Sequence, residues 1–209
     1  MNKFKFNIVI ALISLLFVVP ALATSITSSL NIISSSSIGS GSLGVVTLTQ
    51  NSLDQVEINV ALAPNTAFVS TGGSHNAFAF NFDVLTPYTI TINSPTSGIF
   101  VYDGTGSNTP YGTFINVIDC PGCGPGGSNA YPGLLDFMVT DTSGLSLNDF
   151  IANSGGYYFS ADVIGPSGGT GNIASNLISP IPEPRTYAML LAGLGLIGFT
   201  VHRRKDHTV

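Results

Sequence analysis

The sequence predicts an all-β protein: one antiparallel domain, sandwich or barrel-like, between an N-terminal signal peptide and a C-terminal transmembrane helix. Three observations carry that expectation. Apolar residues alternate with polar ones in short runs, the pattern of half-buried strands. Clusters of Gly, Pro, Asn and Ser separate the runs. All six Lys and Arg lie in the two apolar ends, none of them between residues 24 and 181.

The N-terminal end reads as follows. Lys3 and Lys5 form a basic start, Ile8 to Val19 an apolar run broken only by Ser14, and Pro20 stands before Ala21-Leu22-Ala23. A basic region, a short apolar core and small residues spaced A-x-A make a secretory signal peptide. The run is shorter than the roughly 20 residues a membrane span needs. Residues 1–23 are therefore expected to engage the Sec machinery, and signal peptidase is expected to cut after Ala23, with Ala21 and Ala23 as its small-residue contacts.

Residues 24–175 are expected to form the exported β domain, with 176–181 as a linker. Val56, Ile58, Val60 and Leu62 alternate, as do Phe78, Phe80 and Phe82, and then Tyr88, Ile90 and Ile92. Further strands are expected at Ile99 to Tyr102, Thr113 to Ile118, Leu134 to Thr140 and Tyr157 to Ile164. One short helix is expected from Leu147 to Ala152, with Ser146 as its N-cap and Asp149 near the positive end of the dipole. Leu30 to Gly44, rich in Ser and Gly, reads as a loose arm, and linker character begins near Asn172. Phe80-Asn81-Phe82-Asp83-Val84 and Phe159-Ser160-Ala161-Asp162-Val163 share F-x-x-D-V, a faint echo that two equivalent strands or chance would give and that five residues do not establish as a repeat.

The charge balance excludes some functions. A domain with no Lys or Arg cannot neutralise phosphates, so nucleic-acid binding is not expected, and docking to anionic lipid headgroups is disfavoured. Its charged residues are the acids Asp54, Glu57, Asp83, Asp103, Asp119, Asp136, Asp141, Asp149 and Asp162, beside a single histidine, His75.

Cys120-Pro121-Gly122-Cys123 is a C-x-x-C, but the following Gly124-Pro125-Gly126-Gly127 offers no helix to stabilise a reactive thiolate. A structural disulfide in an oxidising compartment is the expectation. Asp103-Gly104-Thr105-Gly106-Ser107-Asn108 alternates oxygen side chains like a calcium loop. It has Asn108 where that loop needs Gly and Phe114 where it needs the bidentate Glu, so a polar turn is expected. No cofactor is expected, with a looser calcium site among the acids left open. Asp141-Thr142-Ser143-Gly144 breaks the D-T-G of aspartic proteases by one inserted Ser and reads as a turn. His75 has no G-x-S-x-G elbow to serve. No catalytic or metal residues are expected.

The chain closes on Pro182-Glu183-Pro184, an apolar run from Tyr187 to Val201, and Arg203-Arg204-Lys205 within the tail 202–209. The prolines hold the backbone extended up to the run. At about 1.5 Å per residue the run makes roughly 22 Å of helix, under the ~30 Å hydrocarbon core, and flanking bases can extend it by snorkelling. The basic tail belongs in the cytoplasm, giving a type I orientation. Motif, span and tail in this order resemble the PEP-CTERM sorting signal of Gram-negative bacteria, a segment also labelled the C-terminal domain of ice-binding proteins. The resemblance covers 182–209 and implies recognition by an exosortase-type transpeptidase, cleavage near the motif and delivery to the cell surface or extracellular matrix. The stretches "TGGSHNAFAFNFDV" and "GLSLNDFIANSGGYYFSADVIGPSGGTGNIAS" also resemble segments of other PEP-CTERM surface proteins.

The functional expectation is a non-catalytic structural or adhesive surface protein, with extracellular polysaccharide as its candidate partner. A secreted hydrolase or carbohydrate-binding module using some of the acids is the alternative. Ice binding would need flat Thr-x-Thr arrays, and Thr47-Leu48-Thr49 with Thr89-Ile90-Thr91 is little material for one.

Overall fold

A computed structural model describes residues 25–83, 87–95, 98–180 and 193–195. The signal peptide with Ala21 and Ala23, the motif Pro182-Glu183-Pro184 and the basic residues Arg203, Arg204 and Lys205 lie outside them. So does the apolar run, apart from Gly193-Leu194-Gly195, which is helical. No helix among the described residues is long and apolar enough to cross a membrane. The chain divides into two compact units, one of which is Thr24–Ile181.

That unit is all-β. Its strands are β1 (Ser25–Ser29), β2 (Ile32–Ile33), β3 (Gly44–Ser52), β4 (Gln55–Leu62), β5 (Ala67–Phe68), β6 (Phe78–Phe80) and β7 (Thr89–Ser94). They continue with β8 (Val101–Ser107), β9 (Thr113–Asp119), β10 (Leu135–Thr140), β11 (Phe159–Ile164), β12 (Thr170–Ser175) and β13 (Ser179–Pro180). One antiparallel sheet has the order β13-β1-β3-β4-β10-β7, and the other runs β2-β12-β11-β6-β9-β8 with β5 also on β11. Both sheets are open, so the sandwich expectation holds and the closed-barrel one does not.

Alternation explains the first sheet. On β4, Val56, Ile58 and Val60 are fully buried while Glu57 and Asn59 face outward, and β10 repeats this with Leu135, Phe137 and Val139. Direct pairing of Phe137 with Ile58 and of Val139 with Val56 keeps the apolar positions on one face. Phe137 reaches across to Phe80 at 5.2 Å and Phe78 at 5.9 Å between ring centroids, which joins the two sheets. Phe78 also stacks on Phe159 at 6.0 Å.

Several elements differ from expectation. The Leu30–Gly44 arm is packed, with Leu30, Ile38 and Leu43 buried and β2 paired to β12. Gly165 and Gly169 let it dock, since a Cβ on either would collide with the Ile38 or Ser37 carbonyl. The presumed linker region supplies β12, and Ser179 and Pro180 pair with Thr27 and Ile26 at a sheet edge, where proline is tolerated. The helix at Leu147 is a single 3₁₀ turn, Leu147–Asp149. Asp149 accepts from the Ser146 backbone N–H at 2.6 Å and from its hydroxyl at 3.0 Å. The turn stops because Phe150 is extended, bridging Phe82 and packing on its ring at 5.8 Å.

Candidate functional site

The C-x-x-C lies just after β9, and Cys120 and Cys123 are joined as a disulfide that closes a tight turn, with the Cys123 N–H on the Cys120 carbonyl at 2.9 Å. The Asp103 segment is not the expected polar turn. Asp103 to Ser107 belong to β8, paired to β9 through irregular register at Gly104 and Gly106. Glycine permits this: Gly104 has φ 74°, and a Cβ on Gly106 would press on Asn76 and Val117.

This placement brings two carboxylates together. Asp119 ends β9 beside Asp103 on β8, and burial first, then the charge and hydrogen bond of Asp103, push the Asp119 carboxyl above its usual range. Two carboxyls sharing a proton can in principle act as acid and base. Asp141 instead forms a turn: its carboxylate accepts from the Ser143 N–H at 2.8 Å, and the Gly144 N–H meets its carbonyl at 3.0 Å. Among the described residues no three His, Cys, Asp or Glu side chains form a metal-holding group. A shallow depression lined by Thr27, Ser28, Ser29, Asn31, Asn176 and Leu177 carries no titratable side chain.

A second polar centre lies on the outer face of the second sheet. The segment from β5 to β6 runs along β11 but leaves it between Val69 and Ala77. The Val69 N–H still reaches the Asp162 carbonyl at 3.1 Å, and the Asp162 N–H reaches Ala77 at 3.3 Å. Between them Ser70 to Asn76 bulge out as a loop, with Gly72 at φ 84° and Gly73 at φ 64° turning its tip. Opposite the gap, the fully buried Asp162 accepts from the Thr71 N–H at 2.8 Å. Asn172 faces Asp162 across β11 and β12, and its amide donates to the Thr109 carbonyl at 2.7 Å and lies 2.9 Å from His75 Nδ1. Asn76, Asn108 and Ser160 continue the network, with Asn108 accepting from the Asn76 N–H at 2.6 Å. His75 thus bonds an amide rather than a serine hydroxyl. The F-x-x-D-V echo dissolves here: Phe80 and Phe159 are direct partners on adjacent antiparallel strands, but Asp83 is exposed and Asp162 buried.

The open face of the first sheet is a third surface. Thr47, Asn59 and Asp136 form one cross-strand row, and Thr49, Glu57, Met138 and Thr91 another. Asn59 and Asn93 both donate to Asp136, at 3.3 and 3.0 Å. The two Thr-x-Thr stretches share this sheet but are separated by β4 and β10, so they form no continuous threonine array.

Residues 180–205 match the family model of the PEP-CTERM protein-sorting motif. The chain carries a PEP-CTERM sorting motif. The match includes Pro182-Glu183-Pro184, the apolar run and Arg203-Arg204-Lys205. It indicates an exosortase-sorted extracellular protein, exported and held by a membrane-anchored sorting signal. No curated protein and no solved structure matches the chain. Sequence reasoning reached the motif because its parts are contiguous. It missed the Asp103–Asp119 pair and the Asp162 centre, whose members meet only through strand pairing.

Proposed function

We propose that the Thr24–Ile181 domain is a non-catalytic structural or adhesive component of the extracellular matrix, delivered by exosortase and bound to extracellular polysaccharide. The open face of the first sheet supports the reading most. Its rows of Thr, Asn, Asp and Glu side chains offer hydroxyl, amide and carboxylate groups over a broad surface, and the domain contains no Lys or Arg. Such a surface hydrogen-bonds sugar hydroxyls without attracting phosphate.

Delivery begins with the signal peptide and signal peptidase. The apolar run then stops transfer with the basic tail inside, and exosortase recognises Pro182-Glu183-Pro184 and cleaves nearby. Glu183→Ala should leave export intact but retain the full-length chain in the inner membrane, read by fractionation and intact mass. Unchanged mass and location would refute sorting. Matrix binding is read by co-sedimentation with the host's polysaccharide, and an unbound protein would refute it.

A hydrolase is the second reading, favoured by the shared hydrogen bond of Asp103 and Asp119. Glycan turnover lost in both Asp103→Asn and Asp119→Asn would replace the first reading with this one.

A further inference from the structure

Asp162 and Asn172 present an unusual pairing. Both are fully buried, and they stand directly opposite each other on β11 and β12, so their side chains share one face a few ångströms apart. Asp162 Oδ1 and Asn172 Oδ1 both lack a hydrogen-bond partner. Flipping the Asn172 amide does not help. It would set its oxygen against the Thr109 carbonyl, which already accepts from Nδ2 at 2.7 Å. With Nδ2 as donor, His75 Nδ1 accepts, so this ring nitrogen carries no proton. Two buried acceptors on the same face of paired strands are therefore each left without a hydrogen, and no Lys or Arg in the domain balances the carboxylate.

We propose that Asp162 is held as the neutral acid, its Oδ1–H donating to Asn172 Oδ1, and that this proton latches the Ser70–Asn76 loop to the sheet. The other carboxyl oxygen holds the Thr71 N–H, and the same residue's backbone holds Val69 and Ala77, so the first half of the loop is anchored on Asp162, while Ser74, His75 and Asn76 are held by Thr109, Asn172 and Asn108. Burial raises the carboxyl above its ordinary 3.8, while the bonds from Thr71 act to lower it, as a charge on His75 would if its ring were doubly protonated. His75 is the titratable group on the loop packed over it; Thr71, Asn76, Asn108, Thr109 and Asn172 carry no charge.

The sign follows. The folded state binds the proton more tightly than the opened one. The latch is therefore at full strength below the ordinary value and weakens as pH rises towards the raised one. Between those two values, opening grows about tenfold per pH unit and then levels off. Hydrogen exchange of the full-length protein in detergent, corrected for intrinsic rate, reads this on the Val69–Phe78 peptide. The protection factor should fall tenfold per unit in that window. Asp162→Asn, which supplies a permanent N–H donor, should abolish the step, and His75→Gln should keep it. A flat wild-type profile, a step surviving in Asp162→Asn or a step lost in His75→Gln would overturn the latch. So would protection raised by calcium at constant pH, which would assign the two oxygens to a cation. Should Asp162→Asn not fold, the wild-type Asp162 ¹³Cγ titration decides, and an ordinary aspartate value refutes the proposal.

Discussion

The two sheets solve the same burial problem differently. The first is buried on one face only. β4 and β10 alternate strictly, and their outward side chains meet solvent. The second is covered on both faces at β11 and β6, while much of β8, with Thr113 and Ile115 of β9, stays exposed. Phe159 to Val163 are all buried, as are Phe78 to Phe80, because the other sheet lies on one side and loops on the other. Apolar strands need no polar partners, but loops do. The second sheet and the loops packed on it therefore contain Asn108, Asn116, Ser160, Asp162 and Asn172, all fully buried, whereas β4 and β10 of the first carry their polar groups on the wet side. A wet polar group exchanges protein partners for water cheaply, and a buried one cannot.

The largest test breaks what the sheets share. Phe78→Ala removes a ring packed on Phe80, Phe137 and Phe159, spanning both sheets. A loss of about 3–5 kcal/mol is expected from urea denaturation. A loss below about 1 kcal/mol would mean the sheets do not depend on each other.

Next comes the loop side of the second sheet. Asn108→Ala strips a partner from the Asn76 N–H and carbonyl and from Ser160, all of them buried. Orphaning these groups should cost about 2–3 kcal/mol in the same assay. The disulfide comes third. Its loop is short, so the chain-entropy model gives about 2 kcal/mol for Cys120→Ser with Cys123→Ser. Native protein should resist alkylation, and ready labelling of both thiols would contradict the bond.

These contrasts explain how much was legible in the sequence. The first sheet could be read from Val56, Ile58 and Val60 because one-sided burial writes a period of two into the chain. β6 could be seen from its phenylalanines. β12 could not, since Thr170-Gly171-Asn172-Ile173-Ala174-Ser175 is buried by neighbours rather than by its own hydrophobicity. The Leu30–Gly44 arm looked loose because Ser and Gly dominate it, yet Leu30 and Ile38 anchor it. Asp103 to Ser107 looked like a turn because glycine is equally at home in an irregular edge strand. The sites followed the same rule. A contiguous sorting motif was visible, but Asp103 with Asp119 and Asp162 with Asn172 become neighbours only once the register is known.

The smallest expected effect is the sharpest comparison. Asn59→Ala deletes an amide of the same chemistry as Asn108, but on the open face of the first sheet. It loses one bond to Asp136 at 3.3 Å, and Asn93 still donates to that carboxylate at 3.0 Å. Water takes the vacated position, so stability should change by no more than about 0.5 kcal/mol. Polysaccharide retention should nevertheless weaken if this face makes the contact, because the substitution removes a donor from the centre of the Thr47–Asn59–Asp136 row. Denaturation and co-sedimentation on the same variant separate the two effects. A stability loss near that of Asn108→Ala would erase the distinction between wet and covered faces. Unchanged stability with unchanged retention would move the binding surface off the first sheet.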